Sequence, residues 1–190
     1  MFFLLLLLCC IKVDPIKEIS NAYKPIYLDD GFGSSSKIRH NNKCYLITAN
    51  HVISDDSDLK FLSSSDETLT KVFSDEKKDL YLIKTTNCEK SIKYREPKKL
   101  TIGSEVHYWC MPAATDLKYY KGYVSGIKDD SIVIYGYTWF GCSGAGVFTK
   151  DNELIGIISS MMATPNPSMT DFMAHENVIS ISIFKKDYIE

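Results

Sequence analysis

Hydrophobic and polar positions alternate with a period of two along much of the chain, most plainly where Ile179, Ile181 and Ile183 are interleaved with Ser180 and Ser182. Successive side chains of a strand point to opposite faces, so this pattern predicts half-buried β-strands. Short runs rich in Val, Ile, Tyr and Phe recur between turn signals: CYLIT (44–48), LKFL (59–62), TLTKVF (68–73), DLYLIKT (79–85), EVHYWCM (105–111), KYYKGYVSGI (118–127), SIVIYGYT (131–138), GVFT (146–149), ELIGIISS (153–160) and VISISIF (178–184). KDNE between two of these runs reads as a hairpin turn. Helical spacing occurs only in the short IKEISNAYK (16–24). About ten strands at this spacing predict an all-β sandwich or a pair of barrels. The proline and charge cluster KYREPKK (93–99) is the expected crossing between two halves, 16–95 and 96–190.

The N-terminus breaks the pattern. MFFLLLLLCCI is apolar from Phe2 to Ile11, too short to cross a bilayer, which takes about 20 residues, but suited to the apolar core of a signal peptide. No Lys or Arg precedes it and no small-residue cleavage site follows. Residues 1–15 are therefore set apart as a signal-like or anchor-like segment, or the end of a longer membrane segment. They point to a secreted or membrane-associated protein, with residues 2–11 as the point of any membrane contact. The rest of the 190 residues, at 45% hydrophobic content for the whole chain, can bury a core. A net charge of −2 gives no electrostatic basis for binding nucleic acid. The cysteines form no CxxC pair and no spacing with histidine that would make a metal site, so no metal and no cofactor is expected. Cys44, Cys88, Cys110 and Cys142 are read as free, mostly buried thiols.

The candidate chemistry lies in WFGCSGAGVF (139–148), where Cys142 and Ser143 stand side by side among glycines. A hydroxyl attacks a carbonyl only when a base removes its proton and backbone N–H groups stabilise the oxyanion. GCSG (141–144) supplies a tight turn. LITANHVIS (46–54) puts His51 just after an apolar strand, and Asp79 heads the apolar run of DLYLIKT.

These segments resemble the chymotrypsin-like (trypsin-fold) serine peptidases, which carry T-A-x-H, D-[IL]-x-L and G-x-S-G in that order. His51 and Asp79 are 28 residues apart, and Asp79 and Ser143 are 64 apart. GFGSSSKI (31–38), LTIGSEVHYWCMP (100–112), GYVSGI (122–127), NELIGIISSMMA (152–163) and the terminal NVISISIF narrow the likeness to the HtrA/Deg type, over about residues 31 to 184. The resemblance implies two six-stranded antiparallel β-barrels with the active site in the cleft between them. It implies a catalytic triad of His51, Asp79 and Ser143, and an oxyanion hole made by the N–H groups of Gly141 and Ser143. The chain ends six residues after Phe184, so no PDZ domain is expected.

Where relatives carry Asp or Asn before the nucleophile, this chain has Cys142, which cannot make the activating ion pair with a freed N-terminus. Ser143 is preferred over Cys142 as nucleophile because a cysteine nucleophile would leave Phe140 at the tight leading turn. Ser143→Ala is then expected to abolish turnover and Cys142→Ala to spare most of it. Of the other histidines, His40 and His107 are read as surface or strand residues, and His175 as a loop residue near the pocket. Asp66 and Asp75 are read as solvated. By position, Tyr137, Thr138, Ile158, Ser159, Ser160 and Met161 should line the substrate pocket. None is charged, so an uncharged side chain is expected before the cut bond. The substrate should lie as an extended strand of protein or peptide along 159–161. Competing readings are a viral or mobile-element precursor-processing protease of the same fold, and a non-catalytic peptide-binding module.

Overall fold

The computed structural model describes residues 14–29, 31–53, 55, 57–62, 66–129, 131–161 and 178–190. The apolar N-terminal segment and His175 lie outside them. No helix among the described residues is long and apolar enough to cross a membrane.

The helical spacing near the start becomes α1 (Pro15–Ala22). Asp14 caps it, its carboxylate accepting from the Ile16 N–H at 3.0 Å, and proline occupies the first turn, where no N–H is needed. Ile19 and Ala22 are its buried face. The Asn152 side chain donates to the Pro15 carbonyl (3.1 Å) and to Glu18 (3.0 Å), which ties α1 to the second lobe.

The first lobe contains β1 (Tyr23–Leu28), β2 (Gly31–His40), β3 (Lys43–Thr48), β4 (Leu69–Asp75), β5 (Leu80–Thr85) and β6 (Ile92–Lys93). Its six-stranded sheet runs β1-β2-β3-β5-β4, with β6 added parallel to β2. β1 escapes the sequence pattern because Pro25 interrupts it. As an edge strand paired only with β2, it tolerates the missing donor. LKFL, read as a strand, is instead helical, in α2 (Asp58–Leu62). Three apolar residues with Lys60 among them do not distinguish the two, and here Leu59 is buried beside Ile26, Leu46 and Ile83 in the first lobe's own core.

The second lobe is a closed antiparallel barrel of β7 (Glu105–Cys110), β8 (Lys118–Ile127), β9 (Ser131–Tyr135), β10 (Gly146–Thr149), β11 (Leu154–Met161) and β12 (Val178–Ile183), in the order β10-β11-β12-β9-β8-β7. The expected KDNE hairpin joins β10 to β11, with Asn152 at φ 58° and its N–H on the Thr149 carbonyl. The isoleucines of the alternating run show what drives closure. Ile179 and Ile181 are fully buried among Val106, Tyr108, Ile134 and Val147, each contributing about 2 kcal/mol of burial. A further apolar cluster joins the lobes: Ile38, Ile47, Leu80 and Leu82 of the first pack with Phe148, Leu154, Ile157 and Phe184 of the second. The all-β double-lobed expectation therefore holds.

Cys44, Cys88, Cys110 and Cys142 are not the free thiols expected from the sequence. Cys44 is bonded to Cys88 and Cys110 to Cys142, with Cα–Cα distances of 5.4 and 5.0 Å. The partners are 44 and 32 residues apart in sequence, so only the folded sheet brings them within bonding reach.

Candidate active site

β3 ends in buried Thr48, and after buried Ala49 the chain turns through a short 3₁₀ segment, Asn50–Val52, that carries His51. On the neighbouring strand, Asp79 immediately precedes β5 and has a left-handed backbone (φ 50°), a conformation Asp tolerates better than most residues. Such strain persists only where surrounding contacts fix it, and here they are plain. Asp79 accepts the His51 backbone N–H at 2.9 Å, and its two oxygens lie 2.9 and 2.8 Å from His51 Nδ1. From the second lobe, Ser159 Oγ on β11 donates to Asp79 Oδ2 at 2.6 Å.

A carboxylate facing Nδ1 makes that nitrogen the donor, which leaves Nε2 free to act as a base. The hydrogen bond that His51 donates to Asp79 holds the His51 pKa above its ordinary value, although burial opposes the rise. For Asp79, burial alone would raise the carboxyl. The bonds from the His51 ring, Ser159 and the His51 N–H outweigh it and hold the group below its usual range.

The turn Gly141–Gly144 is shaped by its two glycines, at φ 94° and 86°. A side chain at 141 would strike the Phe32 ring and the Met111 carbonyl, and one at 144 would strike the Ser34 carbonyl and Thr48 Oγ1. β2 of the opposite lobe grips the turn. The Ser34 N–H donates to the Ser143 carbonyl at 2.8 Å, and Ser34 Oγ donates to the Gly141 carbonyl at 2.7 Å. Ile158 of β11 completes the support, accepting from the Gly144 N–H and donating to the Ala145 carbonyl. Among the described residues, no acceptor is bonded to the N–H of Gly141 or Ser143, so both remain available to an oxyanion.

Ser143 and His51 line one cavity of about 420 Å³ between the lobes. One wall is Thr138, Trp139 and Phe140, and the other is Ile158, Ser159, Ser160 and Met161. No acidic side chain is among its described lining residues. A second cavity of about 280 Å³ reaches His51 and Ser143 from the other side, past Leu28, Phe32 and Phe140. Tyr137, placed in the pocket by sequence position, is not on its wall. Its ring stacks on Tyr120 at 5.2 Å, and its carbonyl accepts from Tyr108. Trp139 and Phe140 occupy the wall instead, and the sequence reading missed both. Ser159, expected only as lining, also donates to the Asp79 carboxylate.

Cys142 is fully buried in the second barrel's core and bonded to Cys110, so no thiol is available there to attack. His40 lies edge-on to Tyr94 at the end of β2, and His107 is buried on β7. Asp75 ends β4 and accepts from the Lys78 N–H, and Asp66 is exposed. Neither is the carboxylate beside His51. Among the described residues, no group of three or more His, Cys, Asp or Glu could hold a metal ion.

Two β-lobes with a histidine–carboxylate pair on one, and a serine in a glycine turn on the other, define the trypsin-like class. The family model for the trypsin-like peptidase domain matches residues 31–157, and the chain belongs to that family. It is a serine-type peptidase, a hydrolase. No curated protein matches the sequence significantly. Solved structures share the fold. An inactive serine-to-alanine form of Rv3671c from M. tuberculosis aligns with TM-score 0.65 and 10% identity over 91% of this chain and 86% of that one. The serine endoprotease from Yersinia pestis aligns with TM-score 0.67 and 18% identity over 89% of this chain and 61% of that one. The chain thus spans about three-fifths of the Yersinia protein.

Proposed function

We propose that the chain is an endopeptidase that cleaves unfolded or flexible protein segments through an acyl-enzyme on Ser143. His51 Nε2 takes the Ser143 proton as Oγ attacks the carbonyl carbon, and the N–H groups of Gly141 and Ser143 hold the oxyanion. His51 then returns the proton to the leaving amine. Water, deprotonated by the same imidazole, hydrolyses the ester. Asp79 stays ionised, keeps the ring in the productive tautomer and stabilises the imidazolium.

The observation that carries this reading is the Asp79 carboxylate held against His51 Nδ1 in the same cleft as Ser143. The aromatic and aliphatic walls of the larger cavity support a preference for an uncharged, apolar residue before the cut bond. A buried Lys or Arg there would lack a partner charge. Strand β11 supports binding of an extended substrate. Ser160 and Met161 pair with β12 on one side, while β10 stops pairing at Ile157 on the other, which leaves an edge for an added strand.

The test is covalent labelling by a peptidyl diphenyl phosphonate, alongside turnover of a peptide panel. Wild type should label stoichiometrically at Ser143, and Ser143→Ala should neither label nor turn over, a loss of about 10⁶-fold. A folded wild type that does not react would identify a peptide-binding module. Strong preference for cleavage after Lys or Arg would overturn the assigned specificity.

A further inference from the structure

The oxyanion turn has a covalent support that the proposed reaction does not use directly. Cys142, between the two proposed oxyanion donors, is bonded to Cys110, the last residue of β7. Both cysteines are fully buried in the second barrel's core. The chain leaving β7 then supports the turn a second time, because the Ala113 N–H donates to the Phe140 carbonyl at 2.7 Å. Two successive alanines there, Ala113 and Ala114, have left-handed backbones at φ 52° and 53°. Non-glycine residues hold that conformation only when their surroundings impose it. A side chain at 141 would approach the Met111 carbonyl within 2.7 Å, so this segment also limits how far the turn can shift.

We propose, resting on the serine-peptidase reading above, that the Cys110–Cys142 disulfide is a positioning device: it fixes the peptide between Phe140 and Ser143 so that both N–H groups aim at the oxyanion. It does covalently what an ion pair from a side chain at position 142 would do in a chain carrying a carboxylate there. Cys142 touches no reacting atom and acts only through the turn. On this proposal Cys142→Ala lowers turnover, where the sequence alone led to the expectation that it would spare most of it.

The test compares Cys110→Ala/Cys142→Ala with Cys44→Ala/Cys88→Ala, which removes the disulfide of the first lobe, closing a longer loop and bonded to no residue of the turn. Loop-closure reasoning gives the two bonds similar effects on stability, so the control separates stability from positioning. For Cys110→Ala/Cys142→Ala, kcat should fall about 10- to 100-fold, somewhat less than the loss of a whole oxyanion donor. KM should change less than about threefold. Affinity for a peptide boronate, which mimics the tetrahedral state, should fall in step with kcat, while affinity for a product peptide stays put. The control pair should melt earlier with kcat within about twofold of wild type.

If the double variant does not fold, Cys44→Ala/Cys88→Ala is titrated with a water-soluble phosphine. The phosphine gives two electrons to the Cys110–Cys142 disulfide, and water supplies the oxygen of the phosphine oxide and the protons of the two thiols. Loss of kcat should then track alkylatable thiol while the far-UV spectrum is unchanged. Equal kcat in both pairs, a loss confined to KM, or unfolding on every route to the broken bond overturns the proposal. A wild type that fails to label with phosphonate instead defeats the peptidase reading, a separable outcome.

Discussion

Asp79→Asn isolates the contribution of the acid, because it keeps size and shape while removing charge. In the native site the carboxylate accepts three groups: the His51 N–H at 2.9 Å, the His51 ring at 2.8–2.9 Å, and Ser159 Oγ at 2.6 Å. An asparagine carbonyl can keep one or two of these. Its NH₂ must then face a neighbour that is itself a donor, or turn His51 Nδ1 into an acceptor. The second outcome moves the ring proton to Nε2, where it blocks removal of the Ser143 proton. Losing the charge-assisted bond to the developing imidazolium costs about 3 kcal/mol, and the wrong tautomer costs about as much again, less the part that local rearrangement recovers. Together they predict a fall in kcat/KM of about 10⁴-fold, or about 5 kcal/mol of transition-state stabilisation.

The assay is kcat/KM against pH on a peptide with an apolar residue before the cut bond. In wild type the rate should rise as His51 loses its proton, with an apparent pKa above the ordinary 6.5 because the bond to Asp79 raises it. Without the carboxylate only burial remains, which lowers the His51 pKa, so the acid limb should move to lower pH as the plateau drops. A loss under about 10-fold, or an acid limb that stays where it was, would refute the assignment of Asp79.

Ser159→Ala removes one charge-assisted bond to Asp79 and should lower kcat/KM about 10- to 100-fold with little change in stability; an unchanged rate would reduce Ser159 to pocket lining. Gly144→Ala forces a methyl group toward the Ser34 carbonyl at a left-handed backbone position, and should cost about 3 kcal/mol or more in urea unfolding. Glu67 is buried with Lys24, Lys37 and Thr85 around it. Burial would raise its carboxyl, but the bonds from Lys24, Thr85 and Lys37 hold it down at about 2, against an ordinary 4.5. A depressed carboxylate stabilises the fold above the unfolded value, and that contribution is lost as pH falls from 4.5 toward 2. Glu67→Gln should therefore cost about 3 kcal/mol near neutral pH, where it strands Lys37, and much less at pH 2. Equal losses at both pH values in urea titrations would show that the pairing carries no net stability.

The fold was legible because its strands alternate: Ile179 and Ile181 of β12 are buried in the barrel as their spacing requires. His51, Asp79 and Ser143 stood out because each sits in a local motif, and the chemistry of a motif survives without knowing the fold. What stayed hidden depended on distance and direction. Ser159 reaches Asp79 across 80 residues of sequence. The disulfide partners are far apart along the chain, and nothing local to Cys110 or Cys142 names the other. Tyr137 and Phe140 are only three residues apart, yet one joins a tyrosine stack and the other the cleft wall. Sequence position places a residue near a pocket but does not orient a side chain leaving a strand. LKFL failed for a related reason, since a four-residue segment is too short to show a period.

The long-range contacts share one logic. Each lobe supplies part of the candidate site and stabilises the part supplied by the other. The first lobe presents Asp79, and Ser159 of the second lobe holds its carboxylate. The second lobe presents the turn around Ser143, and Ser34 of the first lobe holds both the Gly141 and Ser143 carbonyls. The shared core of Ile38, Ile47, Phe148 and Ile157 lies on these same strands, β2 and β3 against β10 and β11. Sliding one lobe past the other would therefore break apolar contacts and both sets of hydrogen bonds together, so no low-cost motion relaxes the acid while keeping the turn. A site divided between two lobes can thus be as rigid as one built on a single sheet, provided the braces cross the cleft in both directions. Ser34→Ala and Ser159→Ala, at opposite ends of that arrangement, should then combine non-additively in kcat.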